Sequence, residues 1–378
     1  MPSPPDSADR LSRRALNRAT LDRQLLLARA AMPARQAVTR LAGLQAQAPL
    51  APYVGLWTRL AGFRPEHLET LMTERAVLRA HLMRNTVHLV TAEDYVSFRP
   101  LLQPRLDRAL AGAFGRRLAG VDLAELARVA APLLAEHALT RPELARALAP
   151  RWPTYDPGVL AYGATHLLAL VQVPPRGLWS QGGPAAFMLA SAWLDGRDLK
   201  PPDPARAAEQ LVLRYLAGYG PASVADIQAW SGLTRLREVA DRLADQLRGF
   251  TGPDGEALLD LPEAPRPDPG VPAPPRLLPE YDNLLLSFAD RSRIIPHARR
   301  VPLPPGNGAT TGTLLLDGQW QGEWSITKSR DQVILQVQPY VRLDAADQDA
   351  VAAQGADLLA FAAPAAAAYD VRFTACPG

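Results

Sequence analysis

Residues 123–179, LAELARVAAPLLAEHALTRPELARALAPRWPTYDPGVLAYGATHLLALVQVPPRGLW, hold a complete helix, short helix, helix, hairpin pattern. Leu123 to His137 reads as one long helix. Thr140-Arg141-Pro142-Glu143 has capping-box spacing with a proline in the first turn, so a short helix runs to Leu148. Pro157 to Leu170 forms a third helix, and Val171 to Trp179, with Pro174-Pro175 and Gly177, reads as a strand and wing. The same order returns in Ala205 to Leu216, Ser223 to Trp230, Thr234 to Leu247 and a hairpin from Gly249 to Leu261. This is the winged form of the helix-turn-helix.

The first 100 residues read as a looser copy. A leader over residues 1–15 is expected to be disordered. A helix is expected from Thr20, with Leu21, Leu25, Ala28 and Met32 at helical spacing, and a second from about Ala34 to Leu44. Pro65 to Thr73 is helical, and Ala76 to Val90 turns strand-like. Pro262 to Pro275 carries seven prolines in fourteen residues, the composition of a linker. Beyond it, Leu284 to Leu286, Thr313 to Leu316, Trp320 to Thr327 and Val333 to Val337 read as strands, with one helix at Ala345 to Gly355. The expected fold is α+β. It has three tandem winged-helix units (residues 16–120, 121–200 and 201–262) and a C-terminal β-rich domain over 263–378.

A chain of 378 residues that is 48% hydrophobic supports several compact units. No apolar run reaches the roughly 18–20 residues that span a bilayer, and Met1 to Arg10 has no signal-peptide character, so a soluble cytoplasmic protein is expected. The single cysteine, Cys376, excludes an intrachain disulfide, and no Cys/His spacing suggests a metal or cofactor site. The net charge is only +3, but residues 1–120 carry 18 basic against 9 acidic groups, whereas 251–378 carry 10 against 16. Such a basic segment points to nucleic acid. Only two of the 41 basic residues are lysines, Lys200 and Lys328; arginine makes the bidentate phosphate contacts that lysine cannot.

Several strings resemble the AlkZ/YcaQ winged-helix DNA glycosylases. They are Leu44-Gln45-Ala46-Gln47, Arg84-Asn85-Thr86-Val87-His88-Leu89, Tyr219-Gly220-Pro221-Ala222-Ser223 and Trp230-Ser231-Gly232-Leu233. Leu278-Pro279-Glu280-Tyr281-Asp282 follows, leading through Leu284-Leu285-Leu286 to Asp290-Arg291, and then come Leu316-Asp317-Gly318 and Gly322-Glu323-Trp324. They span about residues 16–340 in the family's order. The resemblance implies tandem winged helices that form a concave DNA-binding channel. It also implies a glutamine–X–glutamine or glutamine–X–aspartate motif at the active site, and Gln45 and Gln47 give the glutamine version.

Glutamine is a poor base, so such a motif suits a leaving group that is already good. An N7- or N3-alkylpurine is cationic and departs as a neutral base, leaving an oxocarbenium-like sugar for water to capture. Two amide oxygens can orient that water and place partial negative charge beside the sugar. Residues i and i+2 of an extended segment point the same way, which would let Gln45 and Gln47 reach one water. By spacing alone such a pair is more often a loop-capping or solvated one, and the catalytic reading comes from the resemblance. His88 is either a lesion or phosphate contact or a strand histidine with a satisfied ring. Arg84 is either a phosphate clamp or an ion-pair partner.

Arg291, Arg293, Arg299 and Arg300 stand out in an otherwise acidic region and are expected DNA contacts. The resemblance implies a DNA-probing hairpin over about Ile294 to Thr313, with a solvated loop as the alternative. The expected partner is double-stranded DNA bearing alkylated purines, bound by a monomer, with bulky adducts or interstrand crosslinks as further substrates. Self-resistance to an alkylating natural product is a conjecture on top of this. The competing reading is a non-enzymatic winged-helix regulator. A regulator would dimerise on a palindromic site, yet no coiled-coil segment is recognisable and Pro157 to Leu170 carries no Arg or Lys to read a groove.

Overall fold

The computed structural model describes residues 9–197, 199–299, 311–328 and 332–375. The first part comprises α1 (Arg13–Arg23), α2 (Ala34–Arg40), β1 (Leu44–Gln45), α3 (Ala51–Trp57), α4 (Pro65–Thr73), β2 (Val77–His81), β3 (Val87–Thr91) and a long α5 (Ala92–Phe114). Then follow α6 (Leu123–Glu136), β4 (Leu139–Thr140), α7 (Arg141–Leu148), α8 (Pro157–Leu167), β5 (Leu170–Val173), β6 (Ala186–Leu189) and α9 (Ala190–Trp193). A third set is α10 (Pro204–Tyr219), α11 (Val224–Ser231), α12 (Leu236–Arg242), β7 (Arg248–Thr251) and β8 (Ala257–Asp260). The chain ends with β9 (Arg276–Leu278), β10 (Gly312–Leu316), β11 (Gln319–Lys328), β12 (Val333–Pro339), α13 (Ala345–Ala362) and β13 (Tyr369–Phe373).

Helix, strand, two helices and two strands thus recur. The first two sets merge into one six-stranded sheet of order β1-β3-β2-β5-β6-β4. In each half the first strand pairs with the third and the third with the second, and the halves meet where Arg79 stands opposite Gln172. In the third set an antiparallel bridge from Ala222 to Leu259 occupies the place of the first strand beside the β7–β8 hairpin. Local chemistry sets several boundaries. Thr140 and Glu143 cap each other at the start of α7, and Ser223 and Asp226 do the same at α11.

The last five strands form a second sheet, β13-β12-β11-β10-β9, in which only β12 and β13 are parallel. Helix α13 makes their crossover and buries Val351, Leu358 and Leu359. Those residues share one core with Leu44, Leu56 and Leu89 from the start of the chain and with Leu314 and Trp324. A second core joins the opposite face of β2, β3 and β5 to Tyr215, Tyr219, Trp230 and Phe288. Two buried bidentate ion pairs tie distant segments together, Arg23 with Asp260 and Arg59 with Asp282.

The structure departs from the sequence reading in several places, among them the stretch after Arg23, where the helix expected to carry Leu25, Ala28 and Met32 has already ended. Helix α1 begins at Arg13, inside the supposed leader, because the Ser12 hydroxyl accepts from the Ala15 amide; Thr20 is buried within the helix. Leu284 to Leu286 is a 3₁₀ turn and not a strand, since the Asp282 carboxylate accepts from the Leu284 amide and curls the chain. Helix α5 was not anticipated, for it runs 23 residues through Pro100 and Pro104. No helix among the described residues is long and apolar enough to cross a membrane.

Candidate active site

Strand β1 is two residues long and lies at the edge of the first sheet, with Leu44 opposite Leu89 and Gln45 opposite His88. Gly43 makes that approach possible. Its φ is +90°, and a Cβ there would lie 2.6 Å from Val90 Cγ1 and 2.9 Å from the Leu89 carbonyl. Directly opposite residues share a sheet face, so Gln45 and His88 point to the same side.

The ladder then breaks in a specific way. The Ala46 amide donates to the Val87 carbonyl at 2.7 Å, but the Ala46 carbonyl turns away and accepts from Arg79 Nη2 at 2.8 Å. The Val87 amide donates instead to Gln47 Oε1, at 3.1 Å. The Gln47 side chain thereby replaces a backbone acceptor at the end of the strand.

Arg84 lies in the tight turn between β2 and β3, where Arg84 and Asn85 both adopt left-handed backbone (φ 55° and 59°). The turn brings the guanidinium back over the sheet. Its Nη2 donates to Gln45 Oε1 at 2.8 Å and lies 3.4 Å from His88 Nε2, and its Nη1 donates to the Trp230 carbonyl at 3.2 Å. Asn283 Oδ1 lies 3.5 Å from Nη2, and the Asn283 amide nitrogen donates to the Gly43 carbonyl at 3.0 Å. Burial lowers the Arg84 pKa to about 10, which leaves it cationic at neutral pH.

His88 is fully buried, and its Nδ1 pairs with the Thr86 carbonyl at 3.0 Å. That bond places the proton on Nδ1 and the lone pair on Nε2, toward Arg84. Burial, reinforced by the Arg84 charge, pushes its pKa down to about 3, so the ring is neutral. The structure thus brings Gln45, Arg84 and His88 together and sets Gln47 two residues along the same edge. It does not direct the two glutamine oxygens to one point, because each is held by a different donor.

The basic residues near 291–300 separate. Arg291 donates through Nε to the Phe288 carbonyl and lines a cleft of about 790 Å³ with Arg13, Ser292, His297, Arg299 and Gln319. Its charge is felt by Arg84. Arg293, read from sequence as a DNA contact, is buried: it donates to the Pro221 carbonyl at 2.8 Å and lies over the Phe288 ring. Its burial among neighbours from α1 and the third set excludes that role. Arg299 donates to the Trp320 carbonyl of β11 and lies over Tyr340 at 4.1 Å, against the second sheet. Arg300, Cys376 and most of the hairpin expected over Ile294 to Thr313 lie outside the described residues. Sequence reasoning missed Asn283 and Trp230. Asn283 directly follows a quoted string and Trp230 opens another, but Trp230 contributes only its backbone carbonyl, which no side-chain pattern reveals.

With this arrangement in view, comparison with known proteins settles the class: the chain belongs to the AlkZ-like DNA glycosylase family, whose model matches residues 38–361. It is a DNA glycosylase. Among its relatives is an interstrand DNA cross-link repair glycosylase of Streptomyces sahachiroi, 25% identical over 326 residues, which cover 81% of this chain and 85% of that protein. The solved structure of the DNA glycosylase AlkZ from the same organism shares the fold, with a TM-score of 0.73 at 21% identity over 97% of this chain and all of that one. These matches do not favour the non-enzymatic regulator.

Proposed function

We propose that the chain hydrolyses the N-glycosidic bond of cationic N7- or N3-alkylated purines in double-stranded DNA. Gln45 and Gln47 sit at the reacting sugar, with His88 and Arg84 in support. The three repeated sets are winged-helix units, and they line a concave channel that leads duplex DNA to this edge of the sheet. The protein works as a monomer in the compartment that holds its genome, which the sequence reading takes as the cytoplasm.

The observation that carries the reading is the composition of the centre. Gln45, Arg84 and His88 meet at the edge of the sheet, and among the described residues no carboxylate acts on Arg84 or His88. A centre built from amides and a neutral imidazole has little power to drive off an ordinary base. It suits a base that departs neutral from a cationic precursor, where the remaining task is to orient water and stabilise the sugar by fixed dipoles. The relative's cross-link repair activity extends the proposed substrates to bulky N7 adducts and interstrand crosslinks, which suit an edge site better than a closed pocket.

The test is release of N7-methylguanine from labelled duplex, comparing the unaltered chain with Gln45→Ala and Gln47→Ala. Release should fall about 100-fold or more in Gln45→Ala, in line with the loss of one oriented polar group at a transition state. Release that survives both changes would move the centre elsewhere. DNA binding with no release from methylated, bulky or crosslinked duplex would sink the substrate assignment.

A further inference from the structure

Arg84 is a cation whose described contacts are all uncharged: the Gln45 side chain, the Trp230 carbonyl, Asn283 Oδ1 and the His88 ring. Tyr219 and Tyr215 act on it weakly in the favourable sense, and the nearby charged group, Arg291, is a second cation whose described hydrogen bond goes to a backbone carbonyl. A partly buried guanidinium without a counter-ion carries a desolvation cost that an anion would relieve. It also stands where the proposed reaction develops positive charge on the sugar, and like charge there raises the barrier. Two consecutive left-handed residues, Arg84 and Asn85, hold it in place, and backbone strain of this kind clusters at ligand clamps. The substrate class supplies the missing anion, since every nucleotide of the strand brings a phosphodiester.

We propose that Arg84, within the field of the Arg291 charge, binds a phosphodiester of the lesion-bearing strand, and that its turn toward the phosphate releases Gln45 Oε1 for the attacking water. The second half rests on Gln45 acting at the sugar; the first half does not. In the unbound protein the guanidinium occupies the amide oxygen, so strand docking and readiness for hydrolysis are linked through one side chain. The docked phosphate also neutralises the cation that would otherwise oppose the oxocarbenium-like sugar. Arg84 is then a strand-binding and positioning residue.

The experiment measures affinity for undamaged duplex across a salt series, together with single-turnover release of N7-methylguanine at saturating protein. Arg84→Met should weaken undamaged-duplex binding at least tenfold at low salt. It should also flatten the slope of log affinity against log salt by about 0.9, the value for one phosphate contact. Arg84→Lys should keep the slope. Release at saturation should fall less in Arg84→Met than in Gln45→Ala. Arg291→Gln, at a partly exposed position, should flatten the slope by about the same amount and serves where Arg84→Met does not fold. Unchanged slopes in both variants would overturn the phosphate site. Release in Arg84→Met as low as in Gln45→Ala, with binding intact, would make Arg84 a prop for Gln45. Should the unaltered chain release no base, the alkylpurine assignment and the release of Gln45 would fall together, while the slopes would still decide the phosphate contact.

Discussion

Acidification should unfold this protein early, and three histidines set the expected size of the effect. His81 and His88 are pushed down to about 3 and His166 to about 4, in each case first by burial. Nearby arginines add to it: Arg84 at His88, and Arg141 and Arg99 at the other two. In the unfolded chain each would titrate near 6.5. Since the folded values are depressed, the unfolded state binds more protons between about pH 6.5 and 4, so stability is full above 6.5 and falls as the pH drops. Each histidine contributes about 1 kcal/mol between pH 6.5 and 5.5, where its unfolded form goes from half to nearly fully protonated, hence about 3 kcal/mol for three. That is a large part of the roughly 5–15 kcal/mol that holds a typical domain folded. Urea unfolding followed by tryptophan fluorescence from pH 7.5 to 5.5 measures it. Burial raises the carboxyls of Asp94 and Glu280, which act in the opposite sense, so the decisive comparison is with a variant that removes one histidine. His166→Phe is well suited, because the ring already stacks on Tyr162 and its buried Nε2 has no partner. The variant should lose about a third of the pH slope. An identical slope in the variant and the unaltered protein would refute the argument.

Three other changes follow from the packing. Gly43→Ala should cut base release at least tenfold and destabilise by about 1–3 kcal/mol, because the new methyl meets Val90 and the Leu89 carbonyl and pushes β1 off β3; release kinetics and a urea melt check this, and unaltered release would show that Gln45 tolerates displacement. Asp282→Ala should destabilise by about 3–5 kcal/mol in a urea melt, since it strands the buried Arg59 charge; a loss below about 1 kcal/mol would mean that water reaches Arg59. Thr140→Ala should cost about 1 kcal/mol through loss of the α7 cap, with base release unchanged.

The parts of the fold that were legible in sequence are those with local stop and start chemistry. Pro65 opens α4, the Thr140–Glu143 box opens α7, Asp156 with Pro157 opens α8, and the Ser223–Asp226 box opens α11. Helix α5 was opaque because two prolines argue against a helix that packing of Tyr95, Phe98, Leu102 and Leu106 nonetheless stabilises. The 3₁₀ turn at Asn283 was opaque because a short apolar run is ambiguous until its burial is known. At the site, the glutamine pair could be singled out only through the resemblance, since a spacing of two has many causes. Arg293 shows the limit of charge patterns: a run of arginines does not say which one is folded inward over Phe288. The link between Arg84 and Asn283 spans 199 positions, and no local pattern encodes it.

The brevity of β1 has a functional logic. A long central strand would satisfy its backbone completely and bury both side-chain rows, which suits stability and leaves no room for a substrate. Here the strand stops after Gln45, the Ala46 carbonyl leaves the ladder for Arg79, and the Gln47 amide completes it for Val87. Gln47 is thus fixed by a hydrogen bond while standing half-buried at the edge, a state that an unpaired loop would not hold. In the proposed centre that immobilisation matters more than it would for a carboxylate. An amide dipole is weak, and it contributes to a transition state only if it does not have to reorient during the reaction. Gln47→Glu separates fixation from charge. The carboxylate keeps an acceptor for the Val87 amide and adds negative charge at the edge, so release of a neutral purine, barely detectable beforehand, should rise relative to N7-methylguanine. If both rates instead fall together, the amide nitrogen of Gln47 is itself required, and the centre depends on donors as well as acceptors.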